Sequence, residues 1–345
     1  MKIIVIIVLL LGMMIPVQAI DFEAPAVSGE AEKLMPEEIP SFGEGLLYIC
    51  KTAFRELQPE LVASCQLCVS VIAVAMLVSV INVLSGRASD LLSMVGVLTV
   101  GALLLGTTNT LIRIAADTVT EISAYGKLLL PVMTAAMAAQ GAVASSTVLY
   151  TGTAFFDALL SSVVSTWIVP MIYLFLALVI GHCAIGEKVL KQMRDFMKGT
   201  ITWFMKTILY VFTGYMSISS VIAGGTDKAA LKATKLTISG AVPVVGGIMS
   251  DASETILVGA SVVKNSIGIY GLLAVAAILI LPFLRVGILY LLLKITGVIS
   301  GVFDAGKMGE LLEGFTNAMG FLLGMTGTVS LLFLVSIVCL LKGVS

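Results

Sequence analysis

Charge is what this sequence has least of. Of its 345 residues only 12% are Asp, Glu, Lys or Arg, against 59% that are hydrophobic, whereas soluble domains carry about a quarter charged residues. So little charge cannot cover a water-facing surface, which excludes a soluble globular fold. The formal net charge of −1 lacks the basic field that nucleic-acid binding requires. No nucleic-acid partner is expected, and the partner that composition does imply is the lipid bilayer. Histidine occurs once, at His182, and no carboxylate or cysteine accompanies it at ligand spacing, so it reads as a headgroup-level residue rather than a metal ligand. Walker A, HExxH and GxSxG patterns are absent, and with them the usual signs of ATP, zinc or serine-hydrolase chemistry. The chain is expected to be non-enzymatic, with no cofactor and no metal. Cysteine is sparse and odd in number, at Cys50, Cys65, Cys68, Cys183 and Cys339. The Cys65-Gln66-Leu67-Cys68 spacing lacks a second pair and opens an apolar stretch, so these residues read as small apolar groups. A Cys50–Cys65 disulfide is left open as an alternative.

What the sequence does contain begins with an export signal. Lys2 supplies the positive end, Ile3 to Ile15 a short apolar core, and Val17-Gln18-Ala19 a small-residue cleavage site. That core is shorter than the ~20 apolar residues needed to span a bilayer. Residues 1–19 therefore read as a signal peptide, and 20–64 as an exported acidic segment. Nine acids between Asp21 and Glu60 face three bases, Lys33, Lys51 and Arg55. Pro25, Pro36 and Pro40 make its first half a linker. Its second half carries Leu46, Cys50, Ala53, Phe54, Leu57 and Leu61 at helical spacing, predicting an amphipathic helix against the membrane or the bundle.

From residue 65 to 345 apolar runs of spanning length dominate: Cys65–Leu84, Leu91–Ile112, Leu159–Cys183, Thr200–Ala223, Ile267–Leu293 and Met319–Leu341,. Two weaker segments lie between them, Leu128–Tyr150 and Ile238–Val263. Their Ala, Gly, Ser and Thr suit close helix packing or re-entrant hairpins better than contact with lipid. A repeat organises these pieces. Leu130-Pro131-Val132 through Met137 parallels Val242-Pro243-Val244 through Met249, and Pro131 and Pro243 stand 112 residues apart, as do Pro170 and Pro282. The fold class is all-α, a polytopic transmembrane bundle of two internal repeats, roughly 91–199 and 203–311, with re-entrant Pro-Val segments. If the Pro-Val segments do not cross, the units are parallel; if they cross, the units are inverted. The cluster Lys188, Lys191, Arg194 and Lys198 favours the non-crossing arrangement of six spans by the positive-inside bias, whereas Lys228, Lys232 and Lys235 dissent,.

Ionisable residues at membrane depth are functional candidates by default. Lys206 and Arg285 lie inside apolar runs, and Asp157 stands near the start of another. Asp251 and Glu254 share a helical face in the second Pro-Val segment, with Lys264 at its far end,. These residues read either as a polar lining for a solute path or as ion pairs that hold an irregular segment together.

The stretch Gly240-Ala241-Val242-Pro243-Val244-Val245-Gly246-Gly247-Ile248-Met249-Ser250-Asp251-Ala252-Ser253-Glu254, followed by Lys264-Asn265-Ser266, resembles the hallmark region of the stage III sporulation protein AE family. The layout of signal peptide, exported segment and spans is similar too. The resemblance implies a multi-pass protein of spore-forming Gram-positive bacteria, in the mother-cell membrane surrounding the forespore. It implies a subunit of the complex linking the two cells, acting as a channel or transport component needed for forespore development. The implied partners are the other membrane and ring-forming proteins of the same sporulation complex, an ATPase of the same operon, and a forespore protein met between the membranes. No activity is carried over to single residues. A stand-alone secondary transporter and a non-transporting scaffold are the alternative readings. Amino-terminal sequencing of membrane-extracted protein is expected to begin at or next to Ile20; an intact Met1 terminus would overturn the signal-peptide reading.

Overall fold

A computed structural model describes residues 24–27, 29–36, 41–85, 89–241, 246–303 and 306–342, with side chains described outside 82–90, 219–264, 302–305 and 342. The expected signal peptide lies outside the described residues. Among those described, all regular structure is helical: a 3-10 turn (Glu32–Leu34), α1 (Phe42–Glu56), α2 (Gln58–Ser85), α3 (Ser89–Ala139), α4 (Val143–Val163), a π-turn (Val164–Ile168), α5 (Val169–Ile185), α6 (Lys188–Ala241), α7 (Gly246–Phe303) and α8 (Lys307–Lys342).

Among the described residues, five stretches are long and apolar enough to cross a membrane: Gln58–Ile81, Leu91–Ala139, Val143–Ile185, Asn265–Gly301 and Lys307–Leu341. The expected run Thr200–Ala223 lies within α6, whose side chains are described only as far as Ile218. The largest departure from expectation is α3. The run Leu91–Ile112 continues unbroken through Pro131 to Ala139, so the first Pro-Val motif lies inside a helix. Pro131 faces outward, while Leu129, Leu130, Met133, Ala136 and Met137 are buried. Burial of that face holds the helix across a residue that lacks an N–H. At 51 residues α3 is about 75 Å long, more than twice a hydrocarbon core of about 30 Å.

The reversal within Leu128–Tyr150 comes instead at Gly141. Its φ is +86°, its N–H donates to Ala138 O at 2.9 Å, and the Ala142 N–H donates to Met137 O at 3.3 Å. This pair of bonds is the Schellman cap, which needs a left-handed residue. The chain returns through α4 and α5, joined by the π-turn that ends two residues before Pro170, where a wider turn accommodates the missing donor. Pro282 sits inside α7. Residues 242–245, including Pro243, lie outside the described residues, and the rest of that repeat motif, Gly246 to Met249, opens α7.

Ser41 caps α1. It is extended at φ −153°, and its Oγ accepts from the Glu44 N–H at 3.3 Å, the first half of a capping box. The buried face of α1 is Gly45, Ile49 and Ala53, continued by Leu57. Phe54, expected on that face, is exposed, because the helix is rotated to set Gly45 against Leu273 of α7. Cys50 and Cys65 are free thiols, not a disulfide; Cys65 turns to the exposed side of α2 while Cys50 is half-buried on α1.

α8 is the centre. It packs against α3, α4, α5, α6 and α7, with Leu311, Phe315, Met319, Leu322, Met325, Phe333 and Ile337 fully buried. Glycines admit the close approaches that such packing needs: Gly126 lies under Phe333, Gly314 under Val179, and Gly152 under Tyr215. A methyl at Gly126 would collide with the Phe333 ring, which is fully buried and cannot swing away. Gly126→Ala is expected to destabilise the protein by about 1–3 kcal/mol. Gly43→Ala, where a methyl meets nothing within 4 Å, should change stability by less than about 1 kcal/mol. Unfolding in detergent compares the two; equal effects would contradict the packing.

Candidate functional site at Arg285

Arg285 follows Pro282 by one helical turn in α7, and its side chain is only 16% exposed. A guanidinium that deep must be paired. Its Nε donates to Glu60 Oε2 at 2.9 Å, its Nη1 to Glu30 Oε2 at 2.8 Å, and its Nη2 to Glu30 Oε1 at 3.5 Å. Glu60 comes from the first turn of α2, where a carboxylate also meets the positive end of the helix dipole. Glu30 comes from the turn that opens with Gly29, at φ +72°. That turn belongs to the first half of the acidic segment, the half expected to be a linker. It is docked instead, because Val27, Ala31 and Leu34 are buried against the bundle and anchor Glu30 over Arg285. The apolar anchors stand at positions 27, 31 and 34, a spacing that the surrounding prolines and acids obscure.

Cavities open on both sides of the guanidinium. One of about 320 Å³ lies between α2, α3 and α7, lined by Glu60, Ser64, Thr107, Thr110, Leu111 and Arg285 among others. The other, of about 250 Å³, lies between the docked segment, α3 and α7, and is lined by Glu30, by Asp117 and Glu121 of α3, and by Arg285 of α7. This arrangement can hold a polar solute or lock the docked amino-terminal segment to the bundle.

A second junction ties three helix ends. One ring nitrogen of His182, on α5, meets Glu310 Oε2 of α8 at 2.9 Å, and the other meets the Glu187 carbonyl at 3.0 Å. Gly186, at φ +86°, caps α5 through an N–H bond to His182 O at 2.7 Å and turns Glu187 back toward the ring. Lys191 and Arg194 of α6 approach the same Glu310 carboxylate at 3.7 and 3.8 Å. Asp157 is buried within the bundle and accepts a 2.8 Å hydrogen bond from Ser123 Oγ across α3 and α4.

Of the residues singled out from sequence, Arg285 is therefore at a built junction. Lys206 is exposed on α6 and takes no part in it. Asp251, Glu254 and Lys264 fall in the amino-terminal part of α7, and their side chains lie outside the described residues. Glu30, Glu60 and Glu310 were legible only as members of acidic or connecting stretches. Their partners stand 255, 225 and 128 residues away, a separation that no local spacing reveals. Among the described residues no group of three or more His, Cys, Asp or Glu is placed to hold a metal ion.

An all-helical bundle with several helices of membrane-crossing length and charges gathered at interhelical junctions defines a multi-pass membrane protein. Residues 32–343 match the family model for Stage III sporulation protein AE, and the chain belongs to that family. Stage III sporulation protein AE of Bacillus subtilis (strain 168) is 21% identical over 226 residues, covering 66% of this chain and 57% of that relative's length. No solved structure matches the chain.

Arg285→Gln is expected to cost about 1–3 kcal/mol, because it strips a charged hydrogen-bond donor from Glu60 and Glu30. Glu30→Gln, at a side chain 62% exposed, should cost less than about 1 kcal/mol. Thermal unfolding in detergent reads both, and equal losses would show that Arg285 is not the centre of the junction.

Proposed function

We propose that this protein is a membrane subunit of the sporulation complex linking mother cell and forespore, and that it serves there as a channel or transport component needed for forespore development. The observation that carries the reading is the family match across residues 32–343, which takes in the whole helical bundle. The protein resides in the mother-cell membrane surrounding the forespore and works without catalytic chemistry. Its partners are the other membrane and ring-forming proteins of that complex.

The charge layout supports an orientation with the exported segment outside and Lys188, Lys191, Arg194 and Lys198 inside. Along α7, Arg285 is separated from Ser300, which shares a small cavity with Lys307, by about 22 Å at 1.5 Å per residue, a distance comparable to the hydrocarbon core. The two charged junctions then flank the apolar layer, with basic residues on the cytoplasmic side. The duplication of units 91–199 and 203–311, with re-entrant Pro-Val segments, belongs to this reading.

A stand-alone secondary transporter is the second reading, favoured by the two cavities beside Arg285. Cross-linking in sporulating cells followed by purification of this chain is expected to capture membrane and ring-forming proteins of the complex. In the same cells, single cysteines at Ser41 and Lys191 should label from opposite sides. Solute flux by the chain alone in liposomes, with no captured partner, would favour the transporter. Neither flux nor capture would reject both.

A further inference from the structure

The bidentate edge of an arginine, its Nη1–Nη2 pair, is the geometry that grips a carboxylate or phosphate. In Arg285 that edge is filled by Glu30, through both carboxylate oxygens. Glu30 is 62% exposed whereas Arg285 is 16% exposed, so the anion is the superficial member of the pair and the guanidinium the fixed one. Glu30 also rides on a short turn, beginning at Gly29 with φ +72°, rather than on a helix. The seat is therefore permanent and its occupant is tethered but displaceable.

Behind Glu30 lies the cavity of about 250 Å³. Its floor is apolar, formed by Ile114, Ile278 and Leu281, and across it from α7 stand Asp117 and Glu121 of α3. These two carboxylates lie one helical turn apart, and among the described residues no cation stands within ion-pair distance of either. A site with a guanidinium on one wall and unneutralised carboxylates on the other is complementary to a ligand that carries both signs. We infer that this cavity is a binding site for a small zwitterion, with the ligand's acid group on Arg285 and its ammonium on Glu121 and Asp117. Glu30 is the built-in carboxylate that occupies the acid seat when no ligand is bound. The shared chemistry, an acid group close to a primary ammonium, is that of a free α-amino acid and also of a phosphatidylethanolamine headgroup.

Full-length protein in nanodiscs of phosphatidylglycerol, probed with radiolabelled alanine, tests this directly. Glu30→Ala is expected to bind alanine at least tenfold more tightly than wild type, because it vacates the seat. Adding Arg285→Lys to Glu30→Ala keeps the charge but removes the bidentate edge, and should weaken binding at least tenfold. Glu121→Gln in the Glu30→Ala background should weaken it at least fivefold. In the lipid arm, native mass spectrometry compares retention of phosphatidylethanolamine and phosphatidylglycerol by Glu30→Ala. A preference for phosphatidylethanolamine that Arg285→Lys abolishes assigns the headgroup as ligand. The inference is overturned if Glu30→Ala neither binds alanine nor prefers phosphatidylethanolamine, or if binding is unchanged by both Arg285→Lys and Glu121→Gln. Correct folding of each variant is checked by its melting transition, and Glu121→Gln, at a half-buried position away from the ion pair, serves if Arg285→Lys does not fold.

Discussion

Five helices close around α8, and the composition of the whole bundle answers to that burial. A helix surrounded on nearly every side can present few polar groups, and each must bond internally. Thr326, Ser330 and Ser336 do so by turning their hydroxyls onto the carbonyls of Leu322, Thr326 and Leu332, one turn back along α8. Ser336 also accepts from Thr153 of α4 at 2.9 Å. The remaining contacts are apolar and aromatic, among them Phe175 edge-on to Phe321 at 5.2 Å. Because lipid tails are as apolar as the side chains, close approach rather than water exclusion drives this association, which is why Gly126, Gly152 and Gly314 lie beneath bulky neighbours.

That same constraint leaves Asp157 inside the bundle only with a hydrogen bond from Ser123, and gathers the interhelical ion pairs into two junctions. At one, Arg285 collects Glu30 and Glu60; at the other, Glu310 collects His182, Lys191 and Arg194. Each junction joins elements far apart in the chain, so each fixes tertiary arrangement as well as satisfying a charge. The Arg285 junction also recruits the acidic amino-terminal segment. Leu34, fully buried, and Glu30, paired to α7, make residues 29–36 a part of the bundle surface. A segment rich in proline and acid is thereby held over a cavity that would otherwise open beside a guanidinium.

Composition and apolar run length were sufficient for the all-helical, membrane-spanning class, because few other structures satisfy so many apolar residues and so little charge. The helical spacing of Leu46, Cys50 and Ala53 marked the amphipathic helix that became α1, since periodicity is local. Helix boundaries inside the membrane region were less legible. Pro131 reads as a breaker, yet α3 passes through it, because burial of Leu129, Leu130 and Met133 outweighs one lost hydrogen bond. The turn falls at Gly141, where only a left-handed residue closes the cap. Phe54 looked like a member of the buried face of α1, but Gly45 packs against Leu273 and rotates it outward.

Arg285 could be singled out from the sequence because a charge within an apolar run is costly wherever the run packs. Its partners could not be, because Glu30 and Glu60 look like other acids of the same acidic segment until folding brings them together with Arg285 of α7, 255 and 225 residues along the chain. His182 has no partner at local spacing for the same reason, with Glu310 on a different helix. The sequence by itself determined which stretches are helical and apolar and which charges are expensive, since those follow from local spacing and from transfer out of water. Only the tertiary structure decided which acids neutralise them and where cavities remain, because ion pairing and packing depend on distances between helices, which no local pattern encodes.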